Sequence, residues 1–95
     1  MQTIKGKLKK GLKIGDKLHF NFELREPSNA DVFDAEDEHG IETPLKFNTA
    51  VVARILVRID DYTGPFTFSM IRGLSRFDLK TLTDAMREAE KLGEA

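Results

Sequence analysis

From Ile4 to Leu24 the apolar residues of this chain fall on even positions: Ile4, Leu8, Leu12, Ile14, Leu18, Phe20, Phe22 and Leu24. Apart from Met1, every odd position up to Arg25 is polar, charged or glycine. Alternation at period two marks half-buried strands. It predicts two strands, about residues 2–10 and 16–26, joined through GLKIGDK as an antiparallel hairpin with Gly11 and Gly15 supplying the turn. His19 then falls on the polar face.

After Pro27 the period changes. Ser28 suits a helix N-cap and Asp31 its first turn, which predicts a helix to about His39 with Gly40 as its C′ residue. Its apolar face is thin: Ala30, Val32, Phe33 and Ala35. Thr43 followed by Pro44 starts a second helix. Leu45, Val51, Val52, Ile55, Leu56 and Ile59 recur there at spacings of three, four and seven. This pattern predicts a central core helix ending near Asp60, before the Gly64-Pro65 break. A short helix capped by Thr67 and closed by Gly73 follows. The last helix opens at Ser75, with Asp78 at the capping-box position. Phe77, Leu79, Leu82, Met86, Ala89 and Leu92 form its buried stripe, and Gly93 stops it. The fold class is α+β, an N-terminal antiparallel β-hairpin followed by about four α-helices. Residues 1–95 make one domain, with a basic hairpin (1–26) and a helical part (27–95).

Composition narrows the function. At 40% hydrophobic and 33% charged, the chain fits an ordinary globular domain. No apolar run approaches the roughly 20 residues of a bilayer span, and no apolar stretch follows the basic N-terminus as in a signal peptide. A cytoplasmic location is the default expectation. Without cysteine there is no disulfide, thiolate ligand or thiol nucleophile. Residues 1–26 carry seven bases and three acids, whereas the remainder carries eight bases and thirteen acids. One end can attract nucleic acid while the other repels it, and the two ends can equally attract each other on neighbouring copies.

VFDAEDEHG, Val32 to Gly40, looks most like chemistry. An EF-hand loop counted from Asp34 places Glu36 and Glu38 correctly. It then puts His39 where glycine is required and Leu45 at the position of the bidentate glutamate, so the count fails. No second histidine or carboxylate motif completes a helical metal face. The expectation is a solvated acidic helix end, with no metal and no cofactor. No nucleophile motif or phosphate loop is present, and an enzyme is not expected. Phe20 and Phe22 share the leucine face of the hairpin, which makes them core rather than base-stacking residues. Arg54 and Arg58, one turn apart, form a basic ridge continued by Arg72 and Arg76. DYTGPFTFSM gathers Tyr62, Phe66, Phe68 and Met70, more apolar surface than so small a domain buries easily. These four, with Arg54 and Arg58 as rim charges, are the candidate partner-binding residues.

FELREPSNADVFDAE, followed by PLKFNTAVVARILVRIDDYTGPFTFSMIRGLSRFDLKTL, resembles the tail assembly chaperones of Mu-like phages and prophages. The likeness covers about residues 18–92. It lies in the order of weak signals: a strand ending in LREP, an AE helix, RILVRI, the Gly-Pro break and LSRFDLKTL. The resemblance implies a non-enzymatic factor that coats the helical, aggregation-prone tape measure protein and keeps it soluble while the tail tube polymerises. It also implies action in the cytoplasm of the bacterial host and absence from the mature virion. The expected partner is the tape measure protein of the same phage or prophage, with self-association as a further option, and with neither membrane nor nucleic acid as a partner. The alternative is a small nucleic-acid-binding regulatory domain that uses the lysine-rich hairpin.

Overall fold

A computed structural model of the chain describes residues 2–39 and 42–94. The expected Gly40 cap lies outside them. Strands β1 (Ile4–Ile14) and β2 (Lys17–Leu24) form an antiparallel hairpin, followed by helices α1 (Asn29–His39) and α2 (Pro44–Ile55). A third strand, β3 (Leu56–Ile59), pairs with β2, giving the sheet order β1-β2-β3. Helices α3 (Phe68–Arg72) and α4 (Arg76–Glu90) and a 3-10 turn at Lys91–Glu94 complete the chain. The α+β class and the helix starts at Pro44, Phe68 and Arg76 agree with the sequence pattern.

The hairpin is longer than its alternation suggests. Ile14 pairs with Lys17, so Gly15 and Asp16 alone make the turn, with Gly15 at φ +64°. A glycine at the first position of a two-residue loop suits the twist of such hairpins. The residues expected to turn, around Gly11, instead form a bulge. Register runs from Ile4 opposite Leu24 to Lys7 opposite Asn21, then resumes at Leu12 opposite His19. Leu8, Lys9, Lys10 and Gly11 thus face only Phe20, and their backbone leaves the ladder. Gly11 sits at φ +90°, where an added Cβ would stand 2.9 Å from the Phe20 ring and 3.0 Å from the His19 carbonyl oxygen. Both the backbone conformation and the space exclude a side chain.

Three consecutive N–H groups of the bulge go to one acid. Lys9 N donates to Asp78 Oδ1 at 2.7 Å, while Lys10 N and Gly11 N donate to Oδ2 at 2.9 and 3.0 Å. Asp78 is fully buried in the first turn of α4, and its own N–H donates to the N-cap Ser75 Oγ at 3.1 Å. Burial pushes its carboxyl up, but the Lys9, Lys10 and Gly11 N–H bonds together outweigh this and hold it below the ordinary aspartate value. Asp78 therefore fastens to the sheet the helix that Ser75 caps. Around this join Leu8, Leu12, Phe22, Leu24, Val52, Ile55, Ile71, Leu82 and Met86 form the core.

The second helix is shorter than its apolar spacing predicts. It ends at Ile55, closed by Leu56 N–H on the Val52 carbonyl, and the chain passes directly into β3. The register slips by one at Val57, between Leu24 opposite Leu56 and Glu23 opposite Arg58. That bulge turns Leu56 and Ile59 inward at a spacing of three, which imitates a helical stripe. Leu56 and Ile59 are buried while Val57 and Arg58 between them are exposed. Arg25 binds this junction to the start of α1. Its N–H donates to Ile55 O at 3.0 Å, and its guanidinium reaches Arg54 O at 2.9 Å. The guanidinium also grips Asp31 at 2.7 and 2.9 Å, and Asp31 accepts from Ser28 N–H at 2.7 Å, completing a capping box. A cation over orphan helix carbonyls is favourable in itself.

Other departures are local. His19 is buried rather than on a polar face, because the loop after β3 folds back over it. Asp60, at φ +53°, accepts from the backbone N–H groups of Phe20 and Asn21 at 2.9 and 3.1 Å. The histidine Nδ1 then lies 3.8 Å from both Asp60 and Asp61. Among the described side chains of α1 only Ala35 is fully buried, and Phe33 points to solvent, so the apolar face is thinner still. Helix α4 gives way to the 3-10 turn at Lys91, before Gly93, which packs tightly against the Glu26 carboxylate.

Replacing Asp78 by alanine orphans three N–H groups and should cost about 2–4 kcal/mol in urea denaturation, with asparagine intermediate. An unchanged midpoint for Asp78→Ala would show the join to be dispensable. A second expectation concerns acid. Arg25 and then the Ser28 bonds lower the Asp31 carboxyl to about 2, against about 3.9 in an unfolded chain. A depressed carboxyl stabilises the fold above the unfolded value and ceases to do so as pH falls through the folded value. Wild type should therefore lose more stability than Asp31→Asn between about pH 4 and pH 2.

Candidate protein-docking groove

The inward turn of Asp78 fixes the rotation of α4, and with it the face left outside. Leu82, Met86 and Ala89 follow Asp78 into the core, while Phe77, one residue earlier, is carried outward and remains 59% exposed. Leu79, Lys80 and Thr83 lie along the flank of the helix. Facing that flank are the first turn of α2, with Leu45 48% exposed, and the short helix α3 with Phe68. Burial in α2 begins only at Thr49, so its first turn overhangs the core without filling it.

Between these elements lie two adjoining depressions of about 570 and 350 Å³ that share Leu45 and Leu79. Their floor is apolar, from Leu45, Phe68, Phe77 and Leu79. Their rim is basic: Lys46, Arg72, Arg76, Lys80 and Arg87 line them together with a single acid, Asp84. That acid is already engaged by Lys80 at 2.9 Å and Arg87 at 3.1 Å. Lys9 adds a further charge, its ammonium 5.2 Å from the centre of the Phe77 ring. Apolar grooves between helices take the apolar face of an amphipathic helix, and a basic rim selects one with acidic flanks.

Of the six residues expected to bind a partner, only Phe68 reaches this groove. Phe66, Phe68 and Met70 are half-buried against the core. Tyr62 stacks edge-on against Phe66 at 5.1 Å, and its hydroxyl donates to Pro65 O at 2.6 Å. This pair closes the loop beside His19 instead of presenting a free surface. The basic ridge does not form, because Arg54 belongs to α2 and Arg58 to β3. Arg54 pairs with Glu38, and Arg58 Nε donates to Glu23 at 3.1 Å. Leu45 and Phe77 are the residues that sequence reasoning assigned to the core. A signal was present, for Phe77 lies only about 100° from Asp78 on the helix wheel, and an inward Asp78 turns it out.

Asp34, Glu36 and Asp37 are exposed on α1, and no cluster of three or more potential ligands is placed to hold an ion among the described residues. Within the same residues no helix is long and apolar enough to cross a membrane.

A family model described as Tail assembly protein gp41, of phage Mu, matches residues 8–95, and the chain belongs to this tail assembly family. No curated protein and no solved structure matches the chain.

If the groove is a surface and the aromatic loop is core, substitutions should separate them. Phe77→Ser should change stability by no more than about 0.5 kcal/mol, whereas Phe68→Ser should cost about 1–3 kcal/mol. Thermal melts followed by circular dichroism decide between them, and equal losses would place Phe77 in the core.

Proposed function

We propose that this member of the tail assembly family is a non-enzymatic chaperone that binds the tape measure protein and keeps it soluble during tail morphogenesis. It acts in the cytoplasm of the bacterial host and is left behind when the virion is complete. The observation that supports this reading is the juxtaposition of exposed Leu45 and Phe77 with a continuous basic rim. A long helical client offers amphipathic turns that aggregate when unprotected, and such a groove covers one apolar stripe at a time.

The size of the groove also suits a temporary partner. Each apolar side chain buried on docking contributes about 1.5–3 kcal/mol, much of it offset by ordering the two surfaces. A floor of four such residues therefore gives a weak single contact. Many copies along one client hold it collectively, yet each can leave as the tube advances.

Co-expression with the tape measure protein of the same phage tests the reading. Wild type should raise the soluble fraction of the client and co-purify with it. Leu45→Asp combined with Phe77→Asp should lose both effects while keeping a native circular dichroism spectrum. A wild-type chain that leaves the client insoluble and unbound would overturn the proposal. Salt-dependent retention on DNA would then favour the nucleic-acid alternative built on the lysine-rich hairpin.

A further inference from the structure

The outward face of α1 has the chemistry that the groove selects. Ala30, Phe33, Asp34 and Asp37 are spaced i, i+3, i+4, i+7 and form one stripe, and all are exposed. Phe33, at 62%, is the most exposed of the large apolar residues described. Acids flank it on its own helix, and α1 carries no lysine or arginine. On its opposite side α1 packs against α2, with Ala35 fully buried, so this stripe lies exposed to solvent among the described residues.

We propose that the groove takes the α1 helix of a second copy of this chain, with Phe33 seated between Leu45 and Phe77 and the acids beside Arg76 and Lys80. The proposal rests on the groove as a helix acceptor, not on the identity of the client. Charge decides against the simpler two-fold pairings. Groove against groove sets basic rims face to face, and α1 against α1 sets acids face to face. Groove against α1 pairs opposite charges and covers both exposed phenylalanines.

The two surfaces are distinct on one molecule, since no residue of α1 lines the groove. A contact between different patches is heterologous, and a joined pair retains a free donor on one copy and a free acceptor on the other. Copies therefore join head to tail into open chains or rings, with a mass that grows with concentration. A client helix of similar chemistry competes with α1 for the groove.

Light scattering coupled to gel filtration tests this over a range of concentrations. Wild type should show a mass above one chain that rises with concentration and falls at high salt. Phe33→Ser, which removes only the donor, should weaken association roughly 10–100-fold. Arg76→Glu with Lys80→Glu, which removes only the acceptor, should do the same. Mixing the two variants is decisive. Each retains the half that the other lacks, so together they should form a one-to-one pair that grows no further. A wild type that stays monomeric throughout, or a mixture that does not pair, overturns the proposal. Circular dichroism verifies that each variant is folded. Phe33→Ser keeps its groove and should still solubilise the tape measure protein, so self-association and client binding can fail independently.

Discussion

Three successive N–H groups in the first strand converge on the carboxylate of Asp78, and much of the architecture follows from satisfying that buried charge. An aspartate with no exposure is tolerable only when its oxygens are fully bonded. The strand meets this demand by bulging, and the bulge is possible because Gly11 accepts a positive φ and leaves room for the Phe20 ring. The helix meets it by rotating Asp78 inward at its first turn, where the helix dipole also favours a negative charge. Once both are set, Leu8 and Leu12 share one core with Leu82 and Met86, and Phe77 is left outward. The groove is thus a by-product of a polar join as much as of apolar packing.

Arg25 plays the corresponding part at the end of β2. It stands where β2 ends, α1 begins and α2 gives way to β3, and it bonds to all three. The capping box of Ser28 and Asp31 and the carbonyls of Arg54 and Ile55 are all drawn to it. Here a single guanidinium holds a junction that apolar contacts leave thin, since among the described side chains of α1 only Ala35 is fully buried.

The hairpin, its partition from the helices and the four helix starts, the Ser28–Asp31 capping box included, were legible because local signals and tertiary environment agree there. Thr67, Ser75 and Pro44 act as their chemistry dictates. The third strand was not legible. A bulge at Val57 places Leu56 and Ile59 three residues apart on one face, and periodicity alone cannot tell that from a helix. The bulge at residues 8–11 hid for another reason: it shifts the pairing by three while the sequence keeps its even-odd pattern, and its trace is the burial of His19 opposite Leu12. The site was the least legible part. Exposure of Phe77 depends on where Asp78 points, and Asp78 points to a strand nearly seventy residues away. Arg54 and Arg58 form a ridge only if the helix continues, which it does not.

The join between Lys9, Lys10, Gly11 and Asp78 spans 67 to 69 residues of sequence. On the ribosome the hairpin is made first, but the bond that secures its bulge cannot form until the start of the last helix has been synthesised. In the interval three donors point at water and a strand edge lies open, guarded only by the lysines along it. Those charges therefore serve the nascent chain as much as the finished protein: they keep a half-built sheet from recruiting its neighbours on the same message.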